Sequence, residues 1–296
     1  MNKLIVIVGP TSSHKTKLAV KLAKQLHFPL LNADAYQVYK EINCGTNKMT
    51  KQEIATLPVY LMDCISIYEK WDIKIFQDKA KEIIKKNYSQ NKIPIVVGGS
   101  NLYVAALIKN YNLQSSLPRT DNYSSYTNQQ LYDLLLTKDH LSAEKIGIGN
   151  KRRLIRALQI IDDTGISKSL KDLQKNNYYN CLIIYMDVER NQLYTTINKR
   201  VQEMLDSGWK QEILELLNKD PNIMRLNALK AIGYKQVYDA IITNKPIDVA
   251  LIAQKTRNYA KRQITWCKHQ YSDMFHYHGK QDDKLLMQKL EMFVHD

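Results

Sequence analysis

Short apolar runs alternate with amphipathic stretches along the first hundred residues. Residues 3–8, KLIVIV, are continuous and β-branched, the pattern of a strand buried on both faces. Directly after a short loop, KTKLAVKLAKQL (15–26) spaces Leu18, Leu22 and Leu26 four apart, which lays one apolar stripe along a helix. PLLNAD (29–34) and VYLMD (59–63) read as further strands, and residues 71–92 as a helix. IPIVVGGS (93–100) is a strand running into a turn, and NLYVAALIKN (101–110) continues as a helix. This alternation predicts an α/β fold with a parallel sheet and helices on both faces.

The rhythm stops near residue 113. Residues 112–130 are polar and turn-rich, and two helices follow, at 130–138 and at 151–165, the second ending on Gly165. Residues 171–180 form another loop, and the next strand begins only at Cys181. The expected organisation is a core of residues 1–112 and 179–296, interrupted by a helical insertion domain over 113–178. Long amphipathic helices are expected over 190–217 and 247–268. No internal repeat, low-complexity tract or heptad run interrupts the pattern.

Composition adds a partner class. The 296 residues carry 43 Lys+Arg against 29 Asp+Glu, a formal charge of +14. Such an excess suits a polyanion, because every neutralised phosphate releases counterions; a lysine-rich solvated surface is the alternative. The 19 Tyr against 4 Phe reflect compositional bias. Four widely spaced cysteines form no CxxC pair, and Cys267 with the histidines at 276 and 278 matches no standard metal spacing. The N-terminal apolar run is too short for a signal peptide or a membrane helix, so the expectation is a cytoplasmic protein, not membrane-bound.

Candidate chemistry gathers at the strand ends. The stretch GPTSSHKT (9–16) lies between strand and helix, the setting a phosphate-binding loop requires. Gly9, Pro10, Thr11, Ser12, Ser13, His14, Lys15 and Thr16 would present backbone N–H groups and a helix N-terminus to an anion. Lys15 would add a point charge, and Thr16 would hold magnesium or a phosphate oxygen. His14 stands where a second glycine is usual; histidine is among the residues enriched at positive φ. Asp34 ends the second strand, where it can position a metal, take a proton or cap a turn. Gly98 and Gly99 permit close backbone approach, and Ser100 offers a hydroxyl or a helix cap. Two basic helices carry Arg152, Arg153 and Arg156, and Arg257, Lys261 and Arg262 near Trp266. Basic residues interleaved with aromatics suit RNA backbones and unstacked bases, or a solvated helix face.

In order, GPTSSHKT, DAYQVY followed by CGTNK, VVGGSNLY, RRLIRAL, LYTTINKRVQEML, AIGYKQ and TRNYAKRQITW span about residues 4–268. Together they resemble the bacterial tRNA dimethylallyltransferase family, the tRNA isopentenyltransferases. The resemblance implies a P-loop-type catalytic core. It implies transfer of a dimethylallyl group from dimethylallyl diphosphate to the exocyclic amine of the adenosine 3′ of the anticodon, with tRNA as partner. The loop would hold the prenyl diphosphate with Mg2+. Asp34 would receive the amine's proton, Ser100 would replace the usual threonine near the leaving oxygen, and Arg200 would line the diphosphate channel. Residues 34–37 (Asp34, Ala35, Tyr36, Gln37) and 152–156 match stretches that touch tRNA. The family pattern is broken at His14 for glycine, Ala35 for serine, Thr196 for arginine, and at residues 147–150. A monomer is expected, since no long apolar stripe is left unexplained. Three other readings remain at this point: the same chemistry on a free adenine nucleotide, an RNA-binding protein without catalysis, and a P-loop kinase consuming ATP.

Overall fold

The computed structural model describes residues 2–113, 123–165, 167 and 178–295. Parts of the expected polar stretch 112–130 and most of the loop 171–180 lie outside the described residues. The chain divides into two compact units, Met1–Ile108 with Tyr178–Asp296, and Lys109–Asn177.

The first unit is built on a sheet of six described strands, all parallel: β1 (Lys3–Val8), β2 (Leu30–Asn32), β3 (Val59–Tyr60), β4 (Ile95–Val97), β5 (Asn180–Met186) and β6 (Phe275–Tyr277). Their spatial order is β3-β2-β4-β1-β5-β6. The helices described are α1 (Lys15–Leu26), α2 (Lys51–Ile54), α3 (Ile73–Tyr88), α4 (Asn101–Ile108), α5 (Asn128–Lys138), α6 (His140–Ile146) and α7 (Lys151–Thr164). They continue with α8 (Arg190–Asp206), α9 (Trp209–Lys219), α10 (Tyr234–Ile242), α11 (Val249–Gln270) and α12 (Asp283–His295). Among the described residues no helix is long and apolar enough to cross a membrane.

Because side chains alternate along a strand, β1 serves two cores. Leu4, Val6 and Val8 join Phe76, Ala80 and Ile84 of α3 and Val104 and Leu107 of α4 on one face. Ile5 and Ile7 join Leu18 and Leu22 of α1 and Leu286 and Leu290 of α12 on the other. The parallel sheet covered on both faces is the expected one. The expected strand over 59–63 stops at Tyr60, because Leu61 and Asp63 adopt φ of 60° and 51°. The helical stretch expected over 190–217 consists of two helices, broken where Gly208 takes φ 102°.

The second unit has its own small core: Leu131 and Leu135 of α5, Ala143 of α6, and Leu154, Ala157 and Leu158 of α7, with Tyr123. Thr127 and Gln130 close a capping box at the start of α5, and Gly165 ends α7 at φ 65°. The α6 helix adds a third to the two expected.

In the first unit the carboxyl ends of β1, β2 and β4 stand side by side. They deliver the glycine-led loop, Asp34 and the Gly98–Ser100 turn to one edge of the sheet. Ligands bind at that edge in open parallel sheets.

Candidate active site

The loop after β1 begins at Gly9, whose φ of 146° brings the backbone against β5; a Cβ there would lie 2.9 Å from Cβ of Met186. Ser12 and His14 also take positive φ, 62° and 60°. His14 is the residue before α1, and its side chain makes no capping bond. The histidine thus sits in the left-handed region that favours glycine, with its imidazole exposed. Partial burial, then the charges of Lys17, Arg200 and Lys15, hold its pKa below the ordinary value. The opening N–H groups of α1 have no acceptor within the helix.

Lys15 is buried, and its Nζ donates to the carbonyl of Pro10 at 2.6 Å. Burial first, and Arg200 second, push its pKa down to about 8, against the opposing pull of Asp34. Arg200 reaches across from α8. Its Nη1 is 3.4 Å from Oγ1 of Thr11 and 3.4 Å from Oγ of Ser12. Burial lowers the Arg200 pKa as well, though a guanidinium stays charged.

Asp34 follows β2. Its Oδ1 accepts the N–H groups of Tyr36 at 2.9 Å and Gln37 at 3.3 Å, so one oxygen does cap a turn. Its other oxygen takes no part in that turn. Ser100 uses its Oγ to accept the Ala35 N–H at 2.9 Å, tying the turn after β4 to the segment carrying Asp34. Gly98 is the tightest point: a Cβ there would lie 2.3 Å from the carbonyl carbon and oxygen of Ala33.

These elements enclose a cavity of about 440 Å³. Of the residues singled out in the sequence, Thr11, Ser12, Lys15, Thr16, Asp34, Tyr36, Gln37, Arg200 and Arg262 line it. Gly9, Pro10, Ser13, His14, Ala35, Ser100, Arg257 and Lys261 do not. Arg257 turns to α8 instead, its Nη1 donating to Oδ1 of Asn198 at 2.6 Å and its guanidinium lying 5.8 Å from the Tyr194 ring centroid. Lys261 and Arg262 are exposed, and the Arg262 guanidinium lies 5.8 Å from the ring centroid of Tyr259. In the second unit Arg152, Arg153 and Arg156 are all exposed on α7, with Arg152 and Arg156 one turn apart.

Two parts of the site escaped the sequence reading. One is the inner face of α11, where Thr256, Tyr259 and Gln263 line the cavity. Their i, i+3, i+7 spacing was the available signal, overshadowed by the neighbouring charges. The other is an apolar wall of Ile197, Val201, Met204, Trp209, Ile232 and Ile252. Ile197, Val201 and Met204 share one face of α8 at i, i+4, i+7, while the other three come from three further segments with no common local signature. Cys267 is buried below Gln263, its thiol pushed up to about 11 by burial. His276 and His278 pair with Asp187 and Asp282.

A parallel sheet whose first strand runs into a glycine-led loop closed by lysine and threonine is a P-loop-type α/β fold. Within that class the chain belongs to the IPP transferase family, whose model matches residues 37–270. It is 40% identical to a tRNA dimethylallyltransferase of Malacoplasma penetrans, over 99% of this chain and 98% of the other. It is 37% identical to one of Anoxybacillus flavithermus, over 90% and 88%. Among solved structures, the tRNA isopentenylpyrophosphate transferase of Bacillus halodurans superposes with a TM-score of 0.75 at 32% identity, covering 100% of this chain and 97% of the other. A eukaryotic dimethylallyltransferase described as acting on tRNA gives a TM-score of 0.85 at 25% identity, covering 98% and 78%.

Proposed function

We propose that this protein transfers the dimethylallyl group of dimethylallyl diphosphate to the exocyclic amine of the adenosine 3′ of the anticodon in tRNA, releasing diphosphate. The observation that carries this reading is the make-up of one cavity. Lys15, Arg200 and the hydroxyls of Thr11, Ser12 and Thr16 suit a diphosphate. The wall of Ile197, Val201, Met204, Trp209, Ile232 and Ile252 suits a short hydrocarbon. Asp34 lines the same space.

The chemistry follows from those groups. The amine nitrogen attacks C1 of the allyl group as the C1–O bond to diphosphate breaks, and the diphosphate departs with the electron pair. Lys15 and Arg200 hold the charge that grows on it. The nitrogen gains positive charge and gives its proton to the Asp34 carboxylate. Ser100 acts at one remove: through the Ala35 N–H it holds the segment on which Asp34 sits.

The donor set also fits magnesium. Mg2+ keeps waters and substrate phosphates and asks the protein for one or two oxygen ligands. The Thr16 hydroxyl lines the cavity and is of that kind, which leaves the Asp34 carboxylate for the proton. A bound magnesium would neutralise charge on the leaving diphosphate.

For the amine to reach Asp34, the adenosine must leave the anticodon-loop stack. Arg262 lines the cavity, and Arg152, Arg153, Arg156 and Lys261 supply exposed positive charge for the backbone. The proposal includes a monomer working in the cytoplasm, where its tRNA substrate is found.

The test is label transfer. The protein is incubated with magnesium and labelled dimethylallyl diphosphate, with tRNA or with AMP. Label in tRNA, at the adenosine beside the anticodon, is the expected result. Label in AMP would make the substrate a free nucleotide. Tight tRNA binding without transfer would leave an RNA-binding protein, and hydrolysis of added ATP would point to a kinase.

A further inference from the structure

Trp209 opens α9, is fully buried, and yet lines the cavity. Two residues without side chains hold its indole. A Cβ on Gly45 would fall 2.4 Å from Nε1 and Cε2, and a Cβ on Gly233 would fall 2.0 Å from Cη2, at the outer end of the six-membered ring. The ring of Tyr234 meets the indole edge-on, with centroids 5.3 Å apart. Glu212 ties the surround together: one oxygen accepts the Tyr234 hydroxyl at 2.7 Å, and the other accepts the N–H groups of Asn43 at 2.6 Å and Cys44 at 2.8 Å. The indole N–H itself is buried without a hydrogen-bond partner. A buried tryptophan usually finds one, so shape alone fixes this ring.

The position of the ring in the cavity gives the clamp a purpose. Along α8 the lining runs from Arg200, beside the loop hydroxyls, through Val201 to Met204. That is one helical turn, about 6 Å at 1.5 Å per residue. Trp209 follows, after the break at Gly208. With the diphosphate at Arg200, five carbons reach about as far as Met204, and Trp209 is the next residue along the chain that lines the cavity. Beneath it on the same face of α9 lie buried Ile213 and Leu216.

We propose that Trp209 is the specificity-determining end wall of the donor pocket, which stops it after one isoprene unit. The inference rests on the dimethylallyl diphosphate reading given above. An indole has nine ring atoms and an isoprene unit five carbons, so the space freed by a smaller side chain is of the right order to admit a ten-carbon donor. Gly45 and Gly233 keep the ring from swinging aside.

The experiment is a competition in one tube: the full-length protein, tRNA, and equal amounts of dimethylallyl and geranyl diphosphate carrying different labels. Because both donors share the same enzyme, the product ratio is independent of how much of a variant is folded. The wild type is expected to transfer almost only dimethylallyl. Trp209→Leu should raise the geranyl-to-dimethylallyl ratio by about tenfold or more, the scale on which a hydrophobic pocket discriminates. Trp209→Phe, which keeps a ring against Tyr234, should fall between. A ratio unchanged in both variants overturns the proposal, since a merely structural tryptophan would lower transfer from both donors alike. A binding measurement on the wild type stands independently of any variant. Geranyl diphosphate should bind no better than inorganic diphosphate, and affinity equal to that of dimethylallyl diphosphate would overturn the proposal too. If the wild type transfers nothing from dimethylallyl diphosphate, the donor reading itself fails, and that result is distinct from either outcome.

Discussion

The backbone N–H of Thr11 donates to Oε1 of Gln263 at 2.7 Å, although the two residues are 252 positions apart. The same side chain, 3% exposed, donates from Nε2 to the carbonyl of Gly99 at 2.8 Å. One buried amide therefore fixes the loop after β1 relative to the turn after β4. The main chain of Gln263 is itself held, its carbonyl accepting from Nδ2 of Asn101 at 3.2 Å.

Gln263→Leu removes both side-chain bonds; the Gly99 carbonyl keeps the Tyr259 hydroxyl at 3.1 Å and the Asn101 N–H at 3.1 Å, but the Thr11 N–H loses its acceptor. Such a group costs about 1–3 kcal/mol, so the denaturant midpoint should fall with the slope unchanged. The loop loses its external anchor, so the donor KM should rise severalfold while tRNA affinity changes little. A donor KM equal to that of the wild type would mean that the loop keeps its shape without Gln263.

What could be read in advance, and what could not, divides along the same line. Lys15 and Asp34 were legible because each comes after a short continuous apolar run, the pattern of a strand buried on both faces, and parallel strands end at one edge of the sheet. Leu18 and Leu22 were legible as a helix face. Gln263 was not, because its partners lie in distant segments and its immediate neighbours are conspicuous cations. Of those cations, Arg257 turns out to be engaged with Asn198 and Tyr194. Trp209 belongs to a wall assembled from four segments, and Phe275–Tyr277 is an edge strand of three residues, too short to show a period.

Asp34→Asn keeps the shape of the side chain and an oxygen able to cap the turn at Tyr36 and Gln37. It removes the acceptor for the amine's proton. General-base assistance is worth about 10²–10⁴-fold, and kcat should fall by that order with tRNA binding nearly intact. Turnover within about threefold of wild type, less than one factor of ten or 1.36 kcal/mol, would send the proton elsewhere.

His14 occupies a left-handed backbone position with its ring exposed and its pKa depressed. Under the proposed function it is a tolerated side chain on a loop whose backbone would bind the diphosphate. His14→Gly should leave turnover equal or slightly higher. His14→Ala should lower stability by about 1–2 kcal/mol relative to the glycine variant, the cost of a Cβ in that region. A loss of turnover beyond about tenfold in His14→Gly, or 1.4 kcal/mol, would show that the imidazole touches the substrate.

Lys15 gives two pH dependences of opposite sign. Its pKa is pushed from 10.5 down to about 8, chiefly by burial and secondly by Arg200. Below about pH 8 the side chain is protonated in both the folded and the unfolded chain, and the folded state bears the full cost of a buried charge. Between about pH 8 and the ordinary value of 10.5 the unfolded chain holds the proton and the folded chain has released it. Stability rises with pH wherever the unfolded state binds more protons, so Lys15 contributes a gain across that window. Donor binding goes the other way, because a neutral amine offers a diphosphate no charge. Affinity for dimethylallyl diphosphate should therefore decline as pH rises through about 8 while the denaturant midpoint gains from the same deprotonation. Lys15→Met should bind the donor weakly at every pH and should lack the Lys15 share of the stability gain. Both curves can be measured on the free protein, by calorimetric titration and by urea unfolding. A variant whose midpoint climbs through this window as steeply as the wild type would show that another group supplies the gain, and that Lys15 keeps its proton in the folded site.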